Sequence, residues 1–282
     1  MELEFIARQP DGEAHPTPLL FVHGSFADAR CWDEHFLPYF AERGFAAHAI
    51  SLRGHGRSEG RERLHAWRLA DYVADLEDAV GRLPAVPVLI GHSMGGMVIQ
   101  KFLERSVAAA GVVLMASVPP EGLLTTNLHM AMRHPFLFQQ MALLSLLGPG
   151  HATPHLMRRL LFSPGMPAAT LRSYADRVQP ESQVVALDML GADPLRVDPR
   201  NLPMPFLVMG ARDDVFVPPS VVERTARFYG AAPCIVPDMA HAMMLDLTWR
   251  AAADALREWL DRALAAPDKA SGDGVAEVGA GG

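Results

Sequence analysis

The feature that most constrains the fold is a short apolar run followed at once by a glycine-rich turn and a second apolar segment. Residues 87–90 read P-V-L-I, and residues 91–95 read G-H-S-M-G. A continuous apolar run of this length is typical of a strand that is buried on both faces. Residues 94–105 then carry apolar side chains at helical spacing. The pattern therefore predicts a strand, a sharp turn and a helix in direct succession.

The turn fits G-x-S-x-G, the pattern of a nucleophile elbow. A serine on so tight a turn adopts strained backbone geometry, and side chains two residues before and after it would collide with the packed strand and helix. Glycine is therefore needed at Gly91 and Gly95. The N-terminus of the helix also favours negative charge developing at Ser93. A serine that merely caps the helix gives the same five residues, so its role depends on partners elsewhere in the chain.

Length and composition limit the class of protein. A chain of 282 residues, half of them hydrophobic, forms one large domain or one domain with a sizeable insertion. No apolar segment is long enough to span a membrane, and residues 1–8 lack the pattern of a signal peptide, so we expect a cytoplasmic protein. A net charge of −7 without a basic run argues against nucleic acid as a partner. Cys31 and Cys234 give no metal-ligand spacing, and no metal is expected.

Short apolar strands alternate with amphipathic helices along most of the chain. Such alternation predicts an α/β fold with a parallel sheet that is covered on both sides by helices. The pattern predicts strands at residues 19–22, 46–50, 88–90, 110–115, 206–209 and 234–236, and helices near residues 29–42, 69–82, 94–105, 217–229 and 247–264.

The alternation stops in the middle of the chain, where only helix-like segments broken by glycine and proline occur. We therefore expect a core formed by residues 1–118 and 203–265, interrupted by a helical cap at residues 119–202. Because this insertion lies between strand ends on the side of the elbow, it should cover Ser93. The tail, residues 266–282, is rich in glycine, alanine and aspartate and is expected to be disordered.

A serine hydroxyl needs a base to take its proton, and that base is usually a histidine oriented by a carboxylate. In an α/β core the acid and then the histidine follow the serine along the chain, at the carboxyl ends of strands. Asp213 and Asp214 come just after the strand at residues 206–209, and His241 follows the strand at residues 234–236. One of the two acids can instead cap the next helix. The order predicts a Ser–Asp–His triad.

The same reaction needs N–H donors for a developing oxyanion. The backbone N–H of Met94, the residue after the nucleophile, is one expected donor. The other should come from the loop after the first buried strand, where either Ser25 or Phe26 supplies it. Gly24 lets this loop approach a ligand closely. Each such donor stabilises the transition state by roughly 3 kcal/mol.

Across residues 17–264 the chain resembles α/β-hydrolase-fold serine hydrolases of the esterase and lysophospholipase-like kind. The resemblance implies an α/β-hydrolase fold, a Ser–Asp–His triad, no cofactor and a helical cap over the site. Counted back from Pro218 the acid aligns with Asp214, whereas counted forward from Gly210 it aligns with Asp213. We prefer Asp214 and keep Asp213 open. The matching motifs are H-G at residues 23–24, R-G-H-G-R-S at 53–58, G-H-S-M-G-G at 91–96, the segment at 210–218 and M-A-H at 239–241.

A serine at the elbow excludes the relatives that cleave epoxides or carbon–halogen bonds with an aspartate nucleophile. We therefore predict a hydrolase that cleaves a carboxylic ester through an acyl-enzyme on Ser93. Methionine and leucine in the cap favour a small, apolar ester as the substrate, although the same residues can simply pack the cap against the core. A C–C bond hydrolase of ring-cleavage products, with the same triad, is one alternative, and a non-catalytic ligand-binding pseudo-hydrolase is another. The sequence does not specify the acyl chain length or the oligomeric state.

Overall fold

The computed structural model describes residues 1–265, which form a seven-stranded sheet flanked by helices. The order across the sheet is β1-β3-β2-β4-β5-β6-β7, and β1 is antiparallel to β3 whereas the other pairings are parallel. The predicted fold class is therefore confirmed. The expected disorder of residues 266–282 lies outside the described residues. The strands are β1 (Phe5–Arg8), β2 (Leu19–Val22), β3 (Ala47–Ile50), β4 (Val88–His92), β5 (Gly111–Met115), β6 (Phe206–Ala211) and β7 (Pro233–Val236).

The described residues contain eleven α-helices, and none of these is long and apolar enough to cross a membrane. They are α1 (Arg30–Asp33), α2 (Phe36–Ala41), α3 (Leu69–Gly81), α4 (Met94–Phe102), α5 (Leu124–Arg133), α6 (Pro135–Leu147), α7 (Pro154–Leu161), α8 (Ala168–Ala175), α9 (Gln183–Leu187), α10 (Pro219–Phe228) and α11 (Trp249–Ala263).

The single helix predicted near residues 29–42 is wrong, because the structure divides it into α1 and α2. His35 leaves the helical region between them, with φ of −137° and ψ of −50°. Pro38 gives the physical reason. In an unbroken helix its ring would collide with the carbonyl of Glu34, to which it also has no N–H to donate.

Two apolar layers hold the sheet, because the side chains of each strand alternate between its faces. Leu20 and Leu89 belong to the layer that also contains side chains of α3, α4 and α10. Phe21 and Ile90 belong to the opposite layer, with side chains of α1, α2 and α11. Strands β2, β4 and β5 are buried along their whole length. Because β2 to β7 are parallel, their carboxyl ends lie at one edge of the sheet. The loops that carry the candidate site residues meet at this edge.

Helices α5 to α9 lie between β5 and β6, inside the range predicted for the cap. Their apolar side chains form two small clusters, one around Leu171 that also includes Ala242 of the core, and one around Leu160 that also contacts Phe216 of the core. Polar contacts join them to the core. The hydroxyl of Ser182 donates to the carbonyl oxygen of Trp67 at 2.7 Å. These helices therefore form a layer joined to the core, and we use the word cap below as a label for residues 119–202.

Candidate active site

Ser93 lies on the turn between β4 and α4, with φ of 52° and ψ of −116°. A non-glycine residue rarely adopts such values, and they persist only where the surroundings enforce them. A Cβ atom on Gly91 would lie 2.5 Å from the carbonyl oxygen of Gly95, and one on Gly95 would lie 2.4 Å from that of Val22. Both distances are far too short for a carbon atom. The two glycines are therefore required by the close approach of β2, β4 and α4 around the serine.

His241 follows β7 and faces the carboxylate of Asp214, which follows β6. Nδ1 of His241 lies 2.7 Å from Oδ2 of Asp214, and both side chains are buried. A carboxylate oxygen accepts hydrogen bonds, so Nδ1 of His241 donates to Asp214, and Nε2 is the ring nitrogen that remains for another partner. This is the arrangement of a histidine base that is oriented by an acid.

The loop after β6 decides which of the two neighbouring acids reaches the histidine. Oδ1 of Asp214 accepts the N–H groups of Phe216 at 2.7 Å and of Val217 at 2.9 Å, which fix the carboxylate in place. Asp213 is exposed, and its own N–H donates to the carbonyl oxygen of Met239 at 2.9 Å. The structure therefore brings Asp214 and His241 together and leaves Asp213 on the surface.

The loop after β2 runs directly beside Ser93. A Cβ atom on Gly24 would lie 3.0 Å from the Cβ of Ser93, so glycine permits an approach that other residues would prevent. Ser25, Phe26 and Met94 line the same cavity as Ser93. Within residues 1–265, the backbone N–H groups of these three residues donate to no other group. All three amides are therefore unused by the fold and available to an oxyanion.

His92, the residue between Gly91 and Ser93 in the elbow, holds the backbone of His241. Its Nε2 lies 2.9 Å from the carbonyl oxygen of His241, and because a carbonyl only accepts, Nε2 carries the proton. Burial, together with the nearby His241 ring, keeps the pKa of His92 well below its ordinary value, so the ring stays neutral. This contact was not predicted from the sequence, where its one signal is a histidine within the elbow itself.

Ser93 and His241 open into a cavity of about 600 Å³. Both the core and the cap contribute to its lining, which is mainly apolar. In the part of the chain that the structure describes, no three His, Cys, Asp or Glu side chains are arranged to hold a metal ion. The cap side chains that line the cavity include Met130, Phe138, Met141, Met157, Leu160 and Met189.

A buried charged pair joins the cap to the core beside this cavity. Glu181 of the cap accepts a hydrogen bond from the Tyr72 hydroxyl at 2.9 Å, and its second oxygen lies 3.4 Å from Nε2 of His55. Burial alone would lower the pKa of His55, but the Glu181 carboxylate raises it. Burial alone would raise the pKa of Glu181, but His55 lowers it. The two groups therefore stabilise each other's charged form.

A mostly parallel sheet with a serine elbow after β4 and a histidine after its last strand defines the α/β-hydrolase architecture. The chain belongs to the alpha/beta hydrolase family, whose family model matches residues 19–259.

Comparison with known proteins finds relatives over part of the chain and similar structures over nearly all of it. A non-heme haloperoxidase of Rhodococcus erythropolis is 34% identical over 106 residues, which are 36% of this chain and 38% of that protein. A monoacylglycerol lipase of Mycolicibacterium smegmatis is 33% identical over 101 residues, which are 34% of this chain and 35% of that protein. The chain thus matches little more than a third of the length of these relatives. The structure of an esterase from Thermogutta terrifontis superposes with a TM-score of 0.71 at 22% identity, over 93% of both chains, a likeness of fold.

Proposed function

We propose that the protein is a serine hydrolase that cleaves a carboxylic ester through an acyl-enzyme on Ser93. The observation that carries this proposal is that Ser93, on its strained elbow, opens into the same cavity as His241, which Asp214 orients. The names of a lipase and an esterase among the similar proteins support ester hydrolysis.

In the proposed reaction, Oγ of Ser93 attacks the acyl carbon while Nε2 of His241 takes the hydroxyl proton. The N–H of Met94 and a second N–H, from Ser25 or Phe26, stabilise the negative charge that forms on the carbonyl oxygen. His241 then donates its proton to the alcohol oxygen, which leaves. Water attacks the acyl-enzyme with His241 again as the base, and release of the acid restores the serine.

Asp214 keeps the imidazole in the orientation that this sequence of steps requires and stabilises its positive charge. The steps use only side chains, backbone amides and water, so we propose no cofactor. The apolar lining of a cavity of about 600 Å³ favours a small, apolar ester. The cytoplasmic location stays a prediction from the sequence.

The proposal is tested with p-nitrophenyl esters of increasing acyl length, together with a vinylogous diketone ring-cleavage product. We expect the wild-type protein to hydrolyse the esters and Ser93→Ala to be slower by at least about 10⁴-fold. A fluorophosphonate probe should label Ser93. Undiminished ester turnover by Ser93→Ala would contradict the assignment.

The same panel separates the two alternatives. Turnover of the diketone without turnover of any ester would identify a C–C bond hydrolase with the same triad. Neither turnover nor labelling of Ser93 would identify a ligand-binding pseudo-hydrolase.

A further inference from the structure

Helix α6 is apolar on two opposite sides. Phe138 and Met141 line the cavity, whereas Phe136, Leu143 and Leu147 are exposed. The exposed three fall on one side of the helix at 100° per residue, and Phe136 is 77% exposed. A helix between an apolar cavity and water ordinarily presents polar side chains to the water. The outer side of α6 is therefore an apolar surface that lacks a partner within the described chain.

The apolar side of α6 is accompanied by a second row on α5, which packs against α6: Leu124, Leu128 and Met132 recur every four residues and are each more than half exposed. It also reaches the cavity, because Leu146 lines the cavity and is 66% exposed. A surface of this kind marks an interaction site more often than a plain solvated face. We name the following exposed residues the cap surface: Leu124, Leu128, Met132, Phe136, Leu143, Leu146 and Leu147.

The cap surface lies in a positively charged part of an acidic chain. Residues 122–175 contain four arginines and four histidines but no aspartate or glutamate, where the average of the chain predicts about six carboxylates. Arg133 lies between Met132 and Phe136 in the sequence, and its side chain is exposed. Arg159 is exposed on α7, which packs against α6. No carboxylate of residues 1–265 forms an ion pair with either arginine. Their charges are therefore free to meet an anionic partner.

We propose that the cap surface docks on an anionic lipid surface. Its leucine, methionine and phenylalanine side chains enter the acyl region, while Arg133 and Arg159 meet phospholipid headgroups. A second copy of the chain fits less well, because pairing two such surfaces would bring like charges together. Docking places Leu146, at the edge of the cavity, against the lipid. An ester dissolved in the membrane then reaches the cavity without crossing water.

Docking goes beyond the proposed function and requires no catalysis, so it is measured on the Ser93→Ala protein. The assay is sedimentation with vesicles of phosphatidylcholine alone and of phosphatidylcholine mixed with phosphatidylserine. We expect binding to the mixed vesicles that weakens as salt is added. Met132→Ser/Phe136→Ser should lower the partition coefficient by at least about tenfold. Arg133→Gln/Arg159→Gln should lower it by about fivefold for each arginine.

Matched variants on the core serve as controls. Val86→Ser/Val107→Ser removes two other exposed apolar side chains, and Arg227→Gln removes an exposed arginine from α10. Both should leave the partition coefficient within about twofold of its starting value. Circular dichroism confirms that each variant is folded.

Three results would overturn the proposal. The first is that the protein does not bind mixed vesicles, and the second is that the Met132→Ser/Phe136→Ser variant binds them equally well. The third is a dimer in solution that this variant converts to a monomer, which would assign the cap surface to a second copy of the chain.

Discussion

The backbone N–H of Gln179 donates to the carbonyl oxygen of Phe26 at 2.9 Å, and this bond joins the cap to the loop beside Ser93. The side chain of Gln179 extends the connection. Its Nε2 donates to the carboxylate of Asp28, and its Oε1 accepts the N–H of Gly56 at 3.0 Å. Gln179 is itself buried. One residue of the cap therefore holds two loops of the core, one of which carries the proposed oxyanion donors.

Replacing Gln179 should impair the reaction through the oxyanion loop. Gln179→Ala removes these two side-chain bonds and a third, which Oε1 accepts from the Arg61 guanidinium at 2.6 Å. The buried polar groups left unpaired cost about 1–3 kcal/mol. Because the loop amides act on the transition state, we expect kcat for a p-nitrophenyl ester to fall about tenfold with little change in KM. Steady-state kinetics measures the two constants separately. Gln139→Ala, at an exposed position on α6, is the control, and a rise in KM alone would contradict a positioning role.

Substitution of each of the two neighbouring acids tests which of them orients His241. Asp214→Asn leaves the size of the side chain unchanged but removes the charge that orients His241 through the 2.7 Å contact. We expect kcat to fall by about 10⁴-fold. Asp213→Asn, on the surface, should change kcat by less than about twofold. Equal effects of the two substitutions on kcat would contradict the assignment of Asp214 as the acid.

The residues proposed for the triad could be predicted from the sequence because each of them follows a strand. Parallel strands end at one edge of the sheet, so the order of strand ends along the chain already groups Ser93, the acids and His241. The choice between Asp213 and Asp214 could not be made from the sequence with the same rule. It depends on the amides of Phe216 and Val217, that is, on the backbone path of one loop, which the periodicity of apolar residues does not specify.

Contacts between residues that are far apart along the chain could not be predicted from the sequence. Gln179 and Asp28 are 151 residues apart, and neither belongs to a motif. Their contact depends on how the cap sits on the core, which is determined by packing of many apolar side chains. The break that divides the helix near residues 29–42 was not predicted for a different reason. The helical spacing of apolar residues continues through this break, which lies before Pro38.

The elbow makes a prediction about stability. A methyl group on Gly95 would lie 2.4 Å from the carbonyl oxygen of Val22 and 2.6 Å from that of His23, both of which belong to a tightly held backbone. Gly95→Ala should therefore lower the free energy of unfolding by about 3 kcal/mol or more. Gly81→Ala, where no atom would lie within 4 Å of the new methyl group, should raise it by about 0.5 kcal/mol. Urea denaturation of the two variants gives both values, and equal stabilities would refute the steric explanation.

His23 links the stability of the protein to pH. The ring is completely buried. Its Nε2 accepts the N–H of Leu52 at 3.0 Å, so Nδ1 carries the proton and donates to the carbonyl oxygen of Gly24 at 2.8 Å. Burial first, and then the neighbouring His55, lower the pKa of His23 to about 4. A second proton would break the bond to Leu52 next to the proposed oxyanion loop.

The direction of the pH effect follows from that lowered pKa. Because the ordinary pKa of 6.5 lies above the value in the folded chain, the unfolded chain binds the proton first as the pH falls. The contribution of His23 is fully present above about pH 6.5 and is lost as the pH falls through about 4. Between about pH 7 and 4.5 it amounts to about 2 kcal/mol. Over this pH range the free energy of unfolding of His23→Gln, measured by urea denaturation, should therefore fall by about 2 kcal/mol less than that of the wild-type protein. The free energy of unfolding of His65→Gln, which changes an exposed residue, should fall by as much as that of the wild type. The same pH dependence in His23→Gln and the wild type would mean that other groups cause the acid destabilisation, since only the first variant removes this buried ring.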